Sequence, residues 1–201
     1  MKRSFPPRLQ LSFFQLLFTV MLASLLLACV GKQKEPKGNA LQKEKDAILA
    51  IIEKETASFF SRDYEAWKST FTQTDYAFQA WSNSDGTFDA SVGWEQIDKT
   101  VGAYITENPV PDSAQRTVER KNIVYKFYGP NVAFLSFDQF NSDKGANTFL
   151  HSKETRLMEK VNGEWKIVQV AAFWDYVNPI PGYKLKDIQR MDKESRGKGK
   201  L

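Results

Sequence analysis

Residues 154–169 read Glu-Thr-Arg-Leu-Met-Glu-Lys-Val-Asn-Gly-Glu-Trp-Lys-Ile-Val-Gln. Two runs typical of β-strands flank the dipeptide Asn162-Gly163. A type I′ turn needs positive φ at both of its central residues, and Asn-Gly meets that need. The stretch therefore predicts a β-hairpin with a two-residue loop, and this loop fixes the register of the strands that it joins.

The register assigns the side chains of the hairpin to two faces. Val161 pairs with Glu164, so continued alternation pairs Arg156 with Gln169. One face then carries Lys160, Met158, Arg156, Glu154, Trp165, Ile167, Gln169, Ala171, Phe173 and Asp175. Its apolar end can hold helices, and its polar end can form the floor of a half-open pocket. The alternative is that these polar residues lie on an exposed outer face of the sheet, because the opposite face carries several valines and alanines.

Periodicity and turn signals organise the chain before the hairpin. Asn39 and Gln42 predict a capped start for an amphipathic helix over about residues 41–61. Asp63 predicts the start of a short second helix, and a third helix follows a short strand. The pattern then changes to a period of two, in runs over 116–128, 132–140, 148–161 and 164–176. Helices followed by an antiparallel meander indicate an α+β domain.

This element order and the hairpin sequence Asn-Gly-Glu-Trp-Lys-Ile-Val resemble the SnoaL-like branch of the nuclear-transport-factor-2-like (NTF2-like) superfamily. The resemblance covers about residues 41–176, and we assign the domain to residues 39–180. It implies an NTF2-like cone, in which three N-terminal helices pack on a curved, mainly antiparallel sheet. It also implies a pocket at the open end of the cone and dimerisation through the outer face of the sheet.

Aromatic side chains are dense in this sequence, and some lie where rings can line an opening. Tyr76 and Trp81 lie on the short strand before the Gly86 turn. Aromatic walls with few polar groups suit a small apolar or aromatic molecule, and the Arg156 guanidinium suits a carboxylate, hydroxyl or carbonyl group. The predicted ligand-binding residues are Arg156, Glu154, Gln169, Tyr76, Trp81, Phe173 and Asp175.

Two other functions remain open. The resemblance also implies isomerase, dehydratase or cyclase chemistry, in which a pocket carboxylate or histidine moves a proton. The candidates for this role are Asp75, Asp138, His151, Glu154 and Asp175, and no sequence motif identifies any of them as catalytic. The third function is that of a structural dimerisation module. A chain with one cysteine and one histidine offers few ligands for zinc or haem, so we expect no metal site and no cofactor.

Residues 1–28 have the form of a secretion signal, with a basic start, an apolar run and Leu-Leu-Ala before Cys29. The segment resembles a bacterial lipoprotein signal. That resemblance implies a lipid on Cys29, a polar tether over residues 29–38 and an outer-membrane location facing the periplasm. The alternative is an uncleaved transmembrane anchor, because the apolar run approaches the ~20 residues that span a bilayer.

The formal net charge of +4 is distributed unevenly. The signal and the tail over residues 181–201 hold the excess of lysine and arginine, which leaves the domain mildly acidic. We therefore expect no nucleic-acid partner, and we expect the basic tail to be disordered. The expected partners are a small-molecule ligand, the membrane through the lipid on Cys29, and a second copy of the chain.

Overall fold

A computed structural model describes residues 34–111, 117–142 and 148–185. The elements below belong to one compact unit that begins at Glu35. The helices are α1 (Gly38–Ser61), α2 (Tyr64–Lys68), α3 (Trp94–Ile97), which continues through a π-helical turn (Asp98–Gly102), and α4 (Ala103–Glu107). The strands are β1 (Phe78–Ser82), β2 (Phe88–Val92), β3 (Val118–Phe127), β4 (Val132–Ser142), β5 (Thr148–Val161) and β6 (Glu164–Pro181).

The six strands form one curved sheet in the order β2-β1-β6-β5-β4-β3. All neighbouring strands are antiparallel except β1 and β6, which run parallel. The predicted α+β class, with helices packed on a mainly antiparallel sheet, is confirmed. The short strand predicted before the Gly86 turn is present as β1, and the Asn83–Gly86 region joins it to a second strand, β2, in a hairpin.

Helix α1 lies against the inner face of the sheet. Its apolar stripe buries Ile48 and Ile52 completely, and these residues join a core that includes Trp67, Phe137, Met158 and Trp165. The prediction that Asn39 caps this helix is wrong. Helix α1 begins at Gly38 after Lys37, which forms no side-chain cap, so Asn39 lies inside the first turn.

The connection between α1 and α2 agrees with the sequence prediction. Asp63 caps α2 by accepting a hydrogen bond from the backbone N–H of Ala66 at 3.0 Å. The link from α1 is short because Arg62 adopts a left-handed conformation with φ of 61°, which ends the helix at Ser61. Helices α1 and α2 therefore form a tight pair that covers one part of the sheet.

The β5–β6 hairpin has the predicted turn but not the full predicted register. Asn162 and Gly163 have φ values of 52° and 86°, as a type I′ turn requires. The predicted cross-strand pairs are present from the turn as far as Met158 with Ile167. Val168 then forms a β-bulge, after which Leu157 pairs with Gln169, and the β6 side chains from Gln169 to Asp175 change face.

The bulge occurs where β6 changes its partner on the other edge. The N–H of Ile167 donates to Thr70 O at 2.8 Å, and the N–H of Thr72 donates to Ile167 O at 2.9 Å. Two residues later, Gln169 pairs with Phe78 of β1. The predicted inward positions of Gln169, Ala171, Phe173 and Asp175 are therefore wrong, because the extra residue at Val168 turns them to the outer face.

The chain beyond β6 remains packed for one helical turn, over residues 182–185. Leu185 is buried, and its carbonyl oxygen accepts a hydrogen bond from Lys121 Nζ at 3.0 Å. The segment predicted as a tail from residue 181 thus begins with packed residues. The predicted signal, Cys29, most of the tether and residues 186–201 lie outside the described residues. Within 34–111, 117–142 and 148–185, no helix has the length and apolarity to span a membrane.

Candidate functional site

Two adjoining cavities lie between the helices and the inner face of the sheet. The larger, which we call the outer cavity, has a volume of about 660 Å³. The smaller, which we call the inner chamber, has a volume of about 180 Å³. Phe59, Gln79 and Trp81 line both, so a ligand that fills the outer cavity lies next to the inner chamber.

The outer cavity has aromatic walls and a small number of polar groups. Its lining residues are Phe59, Gln79, Trp81, Asp89, Ala90, Ser91, Gln96, Thr100, Val101 and Tyr104. The Phe59 and Tyr104 rings stack with centroids 5.9 Å apart. The Arg62 guanidinium lies over both rings, at 5.2 Å from Phe59 and 4.7 Å from Tyr104. This contact ties the end of α1 to α4 beside the cavity.

The π-helical turn forms part of the outer cavity wall. Thr100 and Val101 line the cavity from this turn, which widens the helix by one residue. Asp98, at the start of the turn, accepts a hydrogen bond of 2.7 Å from the Tyr64 hydroxyl. Such turns are frequent at functional sites because they redirect side chains without ending the helix.

The inner chamber contains charged side chains that are almost completely buried. Arg156 Nη2 lies 2.7 Å from Glu154 Oε2, and Ser152 Oγ donates to Glu154 Oε1 at 2.8 Å. Glu154 and Arg156 are 1% and 4% exposed. The Arg156 guanidinium also lies 5.5 Å from the centroid of Phe137. Burial of this pair is tolerable because each charge has a partner of opposite sign.

A second acid and a second guanidinium complete what we call the charged cluster, which consists of Glu55, Arg120, Glu154 and Arg156. Arg120 Nη2 donates to Thr56 Oγ1 at 2.5 Å, and that hydroxyl lies 3.1 Å from Glu55 Oε2. Burial raises the pKa of the Glu55 carboxyl, although Arg156 and Arg120 oppose the shift. Burial likewise lowers the pKa of Arg120. Glu55 therefore favours its neutral form more than an exposed glutamate does.

Several buried polar atoms in the chamber wall have no hydrogen-bond partner within the described part of the chain. These atoms are Gln79 Oε1, Gln139 Oε1, Asn141 Oδ1, Arg156 Nε and Glu154 Oε2. Glu154 Oε2 is close to Arg156 but accepts no well-aligned hydrogen bond. An unpaired buried polar group costs about 1–3 kcal/mol, and four such groups in one wall are unusual even when Glu154 Oε2, which has Arg156 at 2.7 Å, is left out of the count. A polar partner inside the chamber would remove much of that cost.

The structure brings together some of the predicted pocket residues. Glu154, Arg156 and Trp81 line the inner chamber, although their roles in ligand binding remain predictions. Tyr76 is exposed and donates a 3.0 Å hydrogen bond to Glu159. Phe173 is exposed on the outer face of the sheet. On that face the Gln169 amide donates a hydrogen bond to the Thr155 hydroxyl, and the Asn178 amide donates one to the Asp175 carboxylate.

The polar residues of the inner chamber and the charged cluster that the sequence prediction missed include Glu55, Gln79, Arg120, Gln139 and Asn141. A signal existed for Glu55, because it falls in the apolar stripe of α1 beside Ile52 and Phe59. The sequence provides no comparable signal for the others. They come from three strands that meet only when the sheet is assembled.

The remaining candidate acids and the histidine lie away from the two cavities. His151 Nε2 is 2.8 Å from Asp138 Oδ1 on the outer face, where Lys153 Nζ also contacts Asp138 at 2.6 Å. Burial tends to raise the pKa of Asp138, but hydrogen bonds from Lys153, Asn122 and His151 lower it overall. Asp75 is exposed, and neither Asp75 nor His151 lines either cavity. Across the described ranges, no three His, Cys, Asp or Glu side chains are grouped to hold a metal ion.

An α+β cone with an internal cavity defines a class of pocket-containing domains, and comparison with solved structures identifies the fold. An NTF2-like protein of unknown function from Shewanella baltica matches with a TM-score of 0.50 and 14% identity, over 69% of this chain and 98% of that one. A cystatin-like-fold protein of unknown function from Nostoc punctiforme matches with a TM-score of 0.52 and 14% identity, over 72% and 97%. The association domain of C. elegans CaMKII also matches with a TM-score of 0.52 and 14% identity, over 67% and 98%.

These structures share the fold with this chain at low sequence identity. Neither a protein-family model nor a curated protein matches the sequence. The domain therefore has the NTF2-like fold, and the prediction made from the hairpin and the element order is confirmed. The fold supplies a pocket, while the chemistry of the site has to be argued from its own residues.

Replacing Arg156 by methionine tests whether the charged cluster is held together by pairing. Arg156→Met should lower the free energy of unfolding by about 3–5 kcal/mol, because Glu154 stays buried without its partner. Arg156→Met combined with Glu154→Gln should recover much of that loss. Urea denaturation measures both effects. As a control, Lys126→Met removes a half-exposed pair with Glu35 and should cost about 1 kcal/mol or less. Equal costs for Arg156→Met and Lys126→Met would contradict buried pairing.

Proposed function

We propose that the domain binds a small molecule, with its apolar body in the outer cavity and a polar group in the inner chamber. The observation that carries this proposal is the set of unpaired buried polar atoms in the chamber wall, beside an aromatic cavity. A sequence that served packing alone would fill this region with apolar side chains. The cost of the unpaired groups is instead consistent with a site prepared for a ligand.

The cavity dimensions and walls suit a flat molecule of modest size. A volume of about 660 Å³ falls within the range of small-molecule sites. Trp81, Phe59 and Tyr104 offer ring faces, and Gln96 and Thr100 offer side-chain hydrogen bonds near the opening. An aromatic or other largely apolar body therefore fits the outer cavity better than a highly charged one.

A second candidate function is catalysis of the isomerase, dehydratase or cyclase type. The specific observation that favours it is Glu55, which lies in the chamber wall near a second carboxylate, Glu154. Two acids in different environments can divide the roles of proton donor and stabilising charge. Ligand binding remains the simpler proposal because it needs only a partner for the unpaired groups.

A third element of the proposal is self-association through the outer face of the sheet. Three exposed apolar side chains, Phe88, Val92 and Phe173, lie on the outer face of β2 and β6, on either side of β1. Contiguous exposed apolar surface is typical of interaction sites. The likeness to a domain described as an association domain is consistent with a homodimer.

The proposed location follows from the sequence of the first 29 residues. We propose that the signal over residues 1–28 is removed and that Cys29 carries the lipid that holds the protein at the outer membrane, facing the periplasm. A polar tether would then separate the lipid from the domain.

Removing one ring from the cavity wall tests ligand binding. Trp81→Ala should weaken binding by about 2 kcal/mol, or roughly 30-fold, because the ligand loses an aromatic contact surface. The measurements are mass spectrometry of small molecules that remain on the purified full chain, and calorimetric titration with 2-naphthol. Phe88→Ala is the matched control, since this ring belongs to the same hairpin but faces outward. Failure of the wild type to retain any compound or bind 2-naphthol would contradict the proposal.

Placing a charge on the outer face tests self-association. Phe173→Lys should weaken dimerisation about tenfold or more, because a charged group would be buried in an apolar interface. Sedimentation velocity of the full chain in detergent measures the dissociation constant. Tyr128→Lys serves as the control at an exposed aromatic residue outside this patch. A wild type that stays monomeric at high concentration would refute the dimer.

Labelling with an alkyne analogue of palmitate tests the membrane anchor. The wild-type chain expressed in a bacterial host should take up the label and fractionate with membranes. Cys29→Ala should lose the label, because Cys29 is the single thiol in the chain. Ser24→Ala, within the apolar run, should keep it. An unlabelled wild type would rule out the lipid.

A further inference from the structure

We infer that the ligand of the inner chamber carries a single negative charge, and that Glu55 takes up a proton when this ligand binds. The inference rests on the proposed ligand-binding function and adds the chemical class of the ligand. It follows from the number and placement of charges around the chamber, together with the Arg156 N–H donor that lacks an acceptor; the unpaired amide oxygens of Gln79, Gln139 and Asn141 require a donor group elsewhere on the same ligand.

The charges around the chamber do not balance when Glu55 is neutral. Helix α1 contributes Glu55, β3 contributes Arg120, and β5 contributes Glu154 and Arg156. Among the described residues, the walls from β1, β4 and β6 contribute uncharged side chains: Gln79, Ala80, Trp81, Gln139, Asn141, Val170, Ala172 and Trp174. With the Glu55 carboxyl protonated, two guanidinium groups face one carboxylate. One negative charge from a ligand would restore the balance.

The geometry of the guanidinium groups supports an anion. Glu154 is the salt-bridge partner of Arg156, whereas Arg120 donates to the neutral hydroxyl of Thr56. The Nε atoms of both arginines are buried and donate no hydrogen bond to the described residues. Arginine binds planar carboxylates through paired N–H donors, so the unused donor of Arg156, which lines the chamber, suits an acid group, while Arg120 contributes its charge from outside the lining.

The Glu55 carboxyl is the group whose protonation can adjust the net charge around the chamber. The Thr56 hydroxyl is the one hydrogen-bond partner that the described chain offers its carboxyl group. A neutral carboxylic acid can donate a hydrogen bond to an arriving anion, whereas an ionised one repels it. Burial already favours the neutral acid, and an anion nearby favours it further.

Linkage determines the sign of the pH dependence. An anion that binds best when Glu55 is protonated binds more weakly as pH rises through the pKa of Glu55 in the free protein. The affinity should fall by up to about tenfold for each pH unit above that pKa, and it should level off below it. The ligand itself must stay ionised, which restricts the test to pH values above about 5.

The experiment uses the full chain in detergent and two matched probes, 2-naphthoate and its neutral analogue 2-naphthamide. Isothermal titration calorimetry gives both affinities between about pH 5 and about pH 8. The expected result is tighter binding of 2-naphthoate at low pH and little pH dependence for 2-naphthamide. Titration in phosphate and in Tris buffer counts the protons, because the apparent enthalpies differ when a proton is taken up.

Two glutamine variants of α1 assign the proton to a residue. Glu55→Gln keeps the shape of the side chain and removes its charge, so 2-naphthoate should bind at every pH as it binds to the wild type at low pH. Glu53→Gln, at an exposed position of the same helix, should keep the pH dependence of the wild type.

Three results would overturn the inference, and each one counts against a different part of it. Equal affinities for 2-naphthoate and 2-naphthamide would remove the anion preference and leave the proposed binding site intact. A pH-independent affinity for 2-naphthoate, or a pH dependence that survives in Glu55→Gln, would remove the role of Glu55. Binding of neither probe would count against the proposed function itself.

Discussion

The burial of three charged side chains, Glu55, Glu154 and Arg156, beside the half-buried Arg120 is the constraint on which the rest of this structure depends. Glu154 and Arg156 can be buried because they pair at 2.7 Å. Within the described residues, Glu55 and Arg120 have no direct partner of opposite charge at hydrogen-bond distance, and one hydroxyl, that of Thr56, contacts both. The helices, the curvature of the sheet and the two cavities all have to accommodate this arrangement, which apolar packing alone would not require.

The space for the inner chamber depends on one irregularity of the sheet. The bulge at Val168 lets β6 pair first with residues 70–72 and then with β1, so that Gln79 and Trp81 reach the same interior as Arg156. Without the extra residue, β6 would send Gln169 and Phe173 inward in place of Val170 and Ala172. Small side chains at those inward positions leave space for the chamber. An irregular strand therefore creates the room that a regular one would fill.

The sequence predicted local features well and long-range ones poorly. The Asn162-Gly163 turn and the Asp63 cap depend on a few adjacent residues, and both are present. The sequence also predicted the inward positions of Glu154 and Arg156. Only four residues lie between Arg156 and Val161, the last residue of β5 before the hairpin loop. The bulge could not be predicted, since it occurs where Ile167 donates a hydrogen bond to Thr70 and accepts one from Thr72, almost 100 residues earlier in the chain. Glu55 and Arg120 were missed for the same reason, because only the assembled fold brings α1 and β3 together.

The state of the Glu55 carboxyl is the most direct test of this account. The measurement is a carbon-13 NMR titration of the glutamate side-chain carboxyl groups in the ligand-free protein, with the Glu55 signal assigned by its absence in the Glu55→Gln spectrum. The account predicts a midpoint above that of an ordinary exposed glutamate, because burial disfavours the charged form. A midpoint at or below the ordinary value would show that Glu55 is ionised beside the two arginines, and the chamber would then have no net positive charge to offer a ligand.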